Sequence, residues 1–380
     1  MKSNYDELGK HIQLVDRRNL DMVSDNVLGI NIDKFFMPSV ANVIGTDLSK
    51  YKLIVKDTFA CNPMHVGRDE RLPIALYSDE VPAIVSPAYF MFEIKPESTL
   101  LPEFLMMWFR RPEFDRACWF KTDGSVRGGI TWDDICRLEV PVPSIEKQQE
   151  IINSYKAIVD RIELKKKIND NLADTINSAF LDLYSALDEE NTQYFEEICT
   201  VTSSKRVFAE DYAEQGIPFY RGKEISLKQA GQPITDPLFI EESHFKNLKD
   251  KYGIPQCGDI LITAVGTIGN SYLVQDEEFY FKDGNIIWLK DFKAGINYYV
   301  YDYMQSSIFK QILEGISIGS TQTALTISSL SKLQINIPPE NVLSSYVNKS
   351  KKIRIAIEAN TKEIVILHKL QELLLSELSN

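Results

Sequence analysis

Three residues have the types and spacing of a metal-dependent nuclease site: Asp79, Glu93 and Lys95. Such a site needs two carboxylates on a divalent cation and a lysine beside the attacked phosphate. A solvent-facing strand that alternates Glu and Lys accounts for the same residues. Gly266-Thr267-Ile268-Gly269 has the glycines of a phosphate-cradling loop. A glycine-bearing hairpin turn between the apolar runs on either side explains it better. The sequence has no GxxxxGK(S/T) loop, no GxGxxG after a strand, no GxSxG and no HExxH. It also lacks an Asn-Pro-Pro-aromatic tetrapeptide of the amino-methyltransferase kind, and Asn62-Pro63-Met64 only echoes one. Cys61, Cys118, Cys136, Cys199 and Cys257 are odd in number, far apart and without a CxxC pair, so they read as reduced packing residues. His11, His65, His244 and His368 have no metal-ligand spacing. The expectation is a chain with no catalytic residues, no metal and no cofactor of its own.

The elements around these residues are those of a soluble protein. The chain has 380 residues, 44% hydrophobic and 25% charged, enough for two ordinary domains plus extra helix. No apolar run reaches the ~18 to 20 residues that span a bilayer. The opening MKSNYDELGKHIQ is polar and unlike a signal peptide. A cytoplasmic location without membrane contact is expected. The formal net charge of -12 excludes a uniformly basic nucleic-acid coat. A local basic groove remains compatible with it, because an electrostatic footprint is local.

The chain repeats itself. GSVRGGITWDDICRLEVPVPS from Gly124 aligns without gaps with GSTQTALTISSLSKLQINIPP from Gly319, an offset of 319 - 124 = 195. Thr131 falls on Thr326, Ile135 on Leu330, Val140 on Ile335 and Pro143 on Pro338. Upstream, FEIK from Phe92 falls on IWLK from Ile287; downstream, Leu172 falls on Leu367 and Leu183 on Leu378. Under this offset Glu93 and Lys95 become Trp288 and Lys290, so the second copy has lost the acidic partner of the nuclease-like triad. Toward the start of each half the correspondence loosens. A period near 195 is too long for a solenoid and reads as duplication of a domain together with its spacer.

Each copy ends in a helical stretch. After Pro143 one heptad line runs Ile151, Ile158, Lys165, Leu172, Ala179, and its partner runs Tyr155, Ile162, Asn169, Ile176, Leu183. After Pro339 the lines are Tyr346, Ile353, Asn360, Leu367, Leu374 and Ser350, Ile357, Ile364, Gln371, Leu378. About forty residues of helix extend ~60 Å, and the 4-3 spacing predicts a coiled-coil pair with polar interruptions at Lys165, Asn169 and Asn360. Upstream of each helix, KLIVKDTFA, AIVSPAYFMFEIK, DILITAVGTIGNSYLV and FYFKDGNIIWLK alternate at strand period. LPEFLMMWFRRPEF and INYYVYDYMQSSIFKQIL read as helices. The fold class is α+β: two tandem domains with mixed or antiparallel sheets, separated and followed by long antiparallel coiled-coil helices. The expected boundaries are 1–143, 144–187, 188–338 and 339–380.

That order, with duplicated proline-ended strands, resembles the specificity subunits of type I restriction-modification systems along essentially the whole chain. GIPFYRGKEI from Gly216 and GDILITAVGTIGNSYLV from Gly258 look like the family's recognition-domain signatures. FMPSVANVIGTDLSKYKLI and FACNPMHVGRDERLPIAL resemble one recognition-domain subtype. VPVPSIEKQQEII is similar to the start of the family's conserved region, and its second copy departs where Gln148-Gln149 becomes Leu343-Ser344. The resemblance implies two target-recognition domains on double-stranded DNA, each reading half of an interrupted site. The helices would space the half-sites and hold two modification subunits. S-adenosylmethionine, ATP and magnesium would be used by those subunits and by separate restriction subunits.

Base reading needs side chains that reach base edges. Candidates are Asn62, His65, Arg68, Ser125 and Arg127 in the first domain, and Tyr220, Arg221, Lys223, Thr267, Asn270, Thr321 and Gln322 in the second. Two rival readings are a stand-alone DNA-cleaving or modifying enzyme, resting on Asp79, Glu93 and Lys95, and a coiled-coil scaffold that binds only proteins.

Overall fold

The computed structural model describes residues 5–40, 45–64, 66–122, 128–188, 191–293, 295–318 and 324–378. The chain divides into two compact units: residues 1–162 with 366–380, and residues 163–365.

In the first unit the chain runs β1 (Tyr5–Glu7), β2 (Ile12–Leu14), β3 (Val27–Ile30), β4 (Phe36–Pro38), β5 (Lys52–Ile54), β6 (Phe59–Cys61), α1 (Val66–Asp69), β7 (Ile74–Leu76), β8 (Ala83–Val85), β9 (Phe90–Ile94), α2 (Pro102–Phe109), α3 (Pro112–Phe120), α4 (Trp132–Cys136), β10 (Glu139–Pro141) and the start of α5 (Ile145–Ser185). The helical stretch over LPEFLMMWFRRPEF is split in two, because Pro112 opens α3 at a position where its missing N–H costs nothing. One sheet has the order β2-β9-β6-β7 and is antiparallel throughout. A second, β4-β3-β8-β5, contains one parallel pair, with Val27 opposite Ile84. Phe59 and Phe92 stack in the first sheet with centroids 5.0 Å apart, and Phe109 of α2 meets them edge-on. The first turns of α5 join this core through Ile152 and Tyr155, and the end of α12 (Glu340–Glu377) through Leu374 and Leu375, with Leu378 just beyond it. Gln371 Nε2 donates to Tyr155 Oη at 2.8 Å.

The second unit repeats the plan: β11 (Thr192–Tyr194), α6 (Phe195–Ile198), β12 (Thr200–Thr202), β13 (Tyr212–Ala213), β14 (Ile217–Tyr220), α7 (Gly222–Gln229), β15 (Leu238–Ile240), α8 (Glu242–Tyr252), β16 (Ile260–Thr263), β17 (Ser271–Leu273), β18 (Tyr280–Phe281), β19 (Ile286–Lys290), α9 (Asn297–Gln305), α10 (Ser307–Ile318), α11 (Ile327–Ser331) and β20 (Gln334–Asn336). The sheet β12-β19-β16-β17 matches β2-β9-β6-β7 strand for strand. The second sheet again holds a single parallel pair, β14 with β18. In each unit the opening strand pairs antiparallel with the last strand before a long helix, β1 with β10 and β11 with β20.

The two units differ where the repeat loosens. The first unit places β5 against β8 and α1 between β6 and β7. The second puts α7 and α8 before β16 and crosses from β16 to β17 by a tight turn. Within the second unit α5 and α12 run antiparallel: Lys165 Nζ donates to Asn360 Oδ1 at 2.7 Å, and fifteen residues on Phe180 meets Tyr346 at 6.2 Å between centroids. Every seam position expected on α12 is buried or half-buried. On α5 the seam drifts at its end. Ala179 is exposed and the wholly buried Phe180 takes its place, because it fits among Tyr184, Tyr299, Tyr303 and Tyr346.

Candidate nucleic-acid interface

Each unit builds one corner from two pieces of chain that lie far apart in sequence. In the first, the loop leaving β6 is turned by Asn62, whose Oδ1 accepts from the Met64 N–H at 3.1 Å. The Ile130 N–H then donates to Pro63 O at 3.1 Å, and the Gly67 N–H to Gly128 O at 2.9 Å. A Cβ at Gly129 would lie 3.1 Å from Pro63 O, so the close approach relies on glycine. In the second unit the Leu325 N–H donates to Ala264 O at 2.9 Å. Residues 130 and 325 are one repeat apart, so the tether is duplicated along with the sheet. A capping threonine follows each: Thr131 Oγ1 accepts from Asp134 N at 3.2 Å, and Thr326 Oγ1 from Ser329 N at 3.0 Å.

In the second corner a hairpin turn lies against a helix. Gly266 and Gly269 have φ of +79° and +93°, which fits the hairpin reading of the GxxG tetrad. Thr263 ties the turn shut, donating to Thr267 O and accepting from Asn270 N at 3.0 Å. Asn270 Nδ2 donates to Ser226 Oγ on α7 at 2.8 Å, and Thr267 Oγ1 lies 3.5 Å from that hydroxyl. Thr267 is exposed. Lys223, one turn before Ser226, is also exposed and makes no ion pair among the described residues. Thr267, Asn270 and Lys223 are thus brought to one corner. The sequence reading missed Ser226, which joins them; its i, i+3 spacing from Lys223 on a helix was the available signal.

Other candidates are placed differently. Arg68 is exposed on α1, but its guanidinium forks onto Asp69 at 2.6 and 2.9 Å. Tyr220 lies in the core rather than in a loop. Its ring stacks on Phe279 at 4.4 Å, and its hydroxyl donates to Glu277 at 2.9 Å. Arg221 sits at the start of α7 and holds Glu224, whose side chain is 1% exposed, through Nη2 at 2.7 Å and Nε at 3.1 Å. Burial pushes the Glu224 carboxyl up, but the Arg221 side-chain and backbone bonds outweigh it and leave the group below the usual carboxylate range. His65, Ser125, Arg127, Thr321 and Gln322 lie outside the described residues.

The nuclease-like triad is taken apart. Glu93 accepts from Arg17 Nη2 at 2.5 Å and from Thr58 Oγ1 at 2.8 Å. Burial raises its pKa, and those two bonds lower it further than burial raises it. Lys95 Nζ donates to Gly9 O at 2.9 Å. Asp79 lines a cavity of about 470 Å³ beside α2 and α5, whose wall includes neither Glu93 nor Lys95. A carboxylate and a lysine spent on structural bonds do not compose a metal site with Asp79. The described residues hold no cluster of His, Cys, Asp and Glu able to bind a metal, and no helix among them is long and apolar enough to cross a membrane.

Comparison with known proteins places this arrangement. The family model described as "Type I restriction modification DNA specificity domain" matches residues 191–373. A putative type I restriction enzyme specificity subunit of Haemophilus influenzae is 27% identical over 226 residues, 57% of this chain and 56% of that relative. The type I restriction enzyme MjaIX specificity subunit of Methanocaldococcus jannaschii is 26% identical over 309 residues, 75% of this chain and 70% of that relative. The crystal structure of the type I restriction-modification system S subunit from M. genitalium shares the fold, with a TM-score of 0.60 and 15% identity over 98% of this chain and 95% of that one. The chain thus spans little more than half the length of the H. influenzae relative.

Proposed function

We propose that the chain is a specificity subunit of the type I restriction-modification family, whose DNA specificity domain model matches residues 191–373, and that it reads an interrupted DNA site and leaves all chemistry to partner chains. The observation that carries the reading is the duplicated corner: two sheets of one strand order, each with a loop tethered by the same backbone bond at residues 130 and 325. Two readers of this kind match a site made of two half-sites, as paired modules read spaced elements. The functional modules are the recognition domains 1–143 and 188–338 and the helical spacers 144–187 and 339–380.

In this reading Lys223 and Arg68 position the protein on phosphates, and Thr267, Asn270 and Asn62 face base edges. Tyr220 and Arg221 support that surface from beneath. The remaining candidates stand close in sequence to the tethered residues: His65 to Pro63, Ser125 and Arg127 to Ile130, and Thr321 and Gln322 to Leu325. The spacers, 41 and 38 residues long, set the gap and dock two modification subunits, which carry S-adenosylmethionine. Separate restriction subunits use ATP and magnesium, and the complex works in the cytoplasm.

The test is a footprint of the chain reconstituted with its modification subunits, on DNA bearing the methylation site mapped in its host. Two protected segments whose sequence matters, around a stretch whose sequence does not, are expected. One continuous footprint indifferent to sequence overturns the proposal.

A further inference from the structure

We infer that Asp302 is a positioning residue that fixes the second recognition domain on helix α12 and thereby makes the gap between half-sites selective; this rests on the bipartite reading above. Asp302 lies on α9 with its side chain 1% exposed. It takes four donors from successive turns of α12: Tyr346 Oη at 2.8 Å, Ser350 Oγ at 2.5 Å, and Arg354 through Nε at 3.1 Å and Nη2 at 2.6 Å. The Arg354 guanidinium also lies 4.8 Å from the centre of the Tyr301 ring.

From the same short helix, bonds lead to the reading corner. Gln305 at the end of α9 donates to Ser271 Oγ of β17 at 2.7 Å and accepts from Gln229 of α7 at 3.0 Å. β17 begins where the hairpin turn ends, and α7 carries Lys223 and Ser226. α9 is therefore a bracket between α12 and the surface that carries the candidate residues.

The first copy shows what the device replaces. One repeat back, Asp302, Tyr346, Ser350 and Arg354 become Met107, Ile151, Tyr155 and Val159. That joint is mainly apolar and carries no buried charge, Tyr155 Oη bonding only Gln371 and Arg110 among the described residues. It holds a domain through area, which tolerates small slips. A buried carboxylate meeting four fixed donors does not, because each displacement leaves a charge unpaired. Buried ion pairs add little net stability over apolar replacements of similar volume, so a role in geometry fits this network better than a role in stability.

The experiment transfers the first copy's residues into the second. Full-length chain carrying Asp302→Met with Arg354→Val is reconstituted with its modification subunits. Binding is measured on duplexes with the mapped site and on the same half-sites with the gap one base pair longer or shorter. The ratio between gaps is insensitive to the fraction of active protein, so a loss of stability alone leaves it unmoved. Wild type should prefer the native gap at least tenfold, and the double variant should lose most of that preference while keeping its base preferences in the first half-site. Preference unchanged within twofold in a folded double variant overturns the inference and leaves the bipartite reading standing. If the double variant does not fold, Asp302→Asn decides: a clear fall in gap preference supports the inference, and a ratio equal to wild type overturns it. A wild-type complex indifferent to the gap would overturn the reading itself and this inference with it.

Discussion

Replacing Arg221 by alanine separates two roles for that side chain. Its guanidinium grips a wholly buried carboxylate, Glu224, through two side-chain bonds. The variant leaves that carboxylate with the backbone N–H of residue 221, at 2.8 Å in the native chain, and no countercharge in contact. Breaking a buried pair from one side costs roughly 3 to 5 kcal/mol. Arg221 is a third exposed, so the lower end, about 3 kcal/mol, is expected.

The pH dependence gives a second handle. In the native protein the Glu224 carboxyl lies below its ordinary 4.5, so its contribution to stability is complete above pH 4.5 and lost as pH falls through the lower folded value. Without the Arg221 side chain its two bonds and its charge no longer oppose burial, so the folded value rises and the carboxylate's stabilisation shrinks. The gap in stability between wild type and variant should therefore be small in acid and widen as pH rises through 4.5. Urea denaturation of the purified chain at several pH values reads this out. A loss below about 0.5 kcal/mol, independent of pH, would place Arg221 among ordinary surface residues and refute the argument that it is a support rather than a free reader.

Three further outcomes follow from the same structure. Lys223→Ala should weaken DNA binding by a similar factor on all sequences and reduce the slope of log affinity against log salt by about one; an unchanged slope would remove Lys223 from the phosphate contacts. Glu93→Gln should leave methylation by the reconstituted complex intact and flatten the loss of stability below pH 4.5, where the native Glu93 carboxyl gives up its bonds to Arg17 and Thr58; abolished methylation or cleavage would revive a catalytic role. Phe180→Ala should cost about 3 to 5 kcal/mol in denaturant titration, since its buried ring touches four tyrosines; a loss under 1 kcal/mol would mean that this part of the helix seam is not packed as described.

The long helices and the repeat were legible because both are periodic. Ile162, Ile176, Tyr346 and Ile364 were placed on the seam by spacing alone, and all are buried. The hairpin after Thr263 was legible from its glycines, both at positive φ. Strand order within each sheet was not, since pairing β9 between β2 and β6 joins segments dozens of residues apart and no local pattern encodes it. Phe180 was missed because a strict heptad points to Ala179, and tertiary packing against the tyrosines of α9 overrode that count. At the candidate interface, residue type was a poor guide to exposure. Tyr220 and Arg221 have side chains suited to DNA, yet Glu277 and Glu224 engage them from within the domain. Glu277 carries no sequence signature, because Tyr220 becomes its neighbour only after folding. Glu224 stands three residues after Arg221, a spacing that meant little until both were seen at the start of α7. The i, i+3 relation between Lys223 and Ser226 was visible but meant little until Asn270 was seen to reach Ser226.

The short ladders that open and close each unit have a consequence for exchange. Tyr5 faces Pro141 and Glu7 faces Glu139; Thr192 faces Asn336 and Tyr194 faces Gln334. The two ends of each unit's globular part are thus clasped side by side by backbone bonds, which do not depend on the side chains in between. A segment bounded in this way is a cassette: another of different sequence can be spliced at the clasp, and the rod that follows still starts from the same strand. On the proposed function, trading whole inserts at these two fixed points would change what is read and leave the helices as they are.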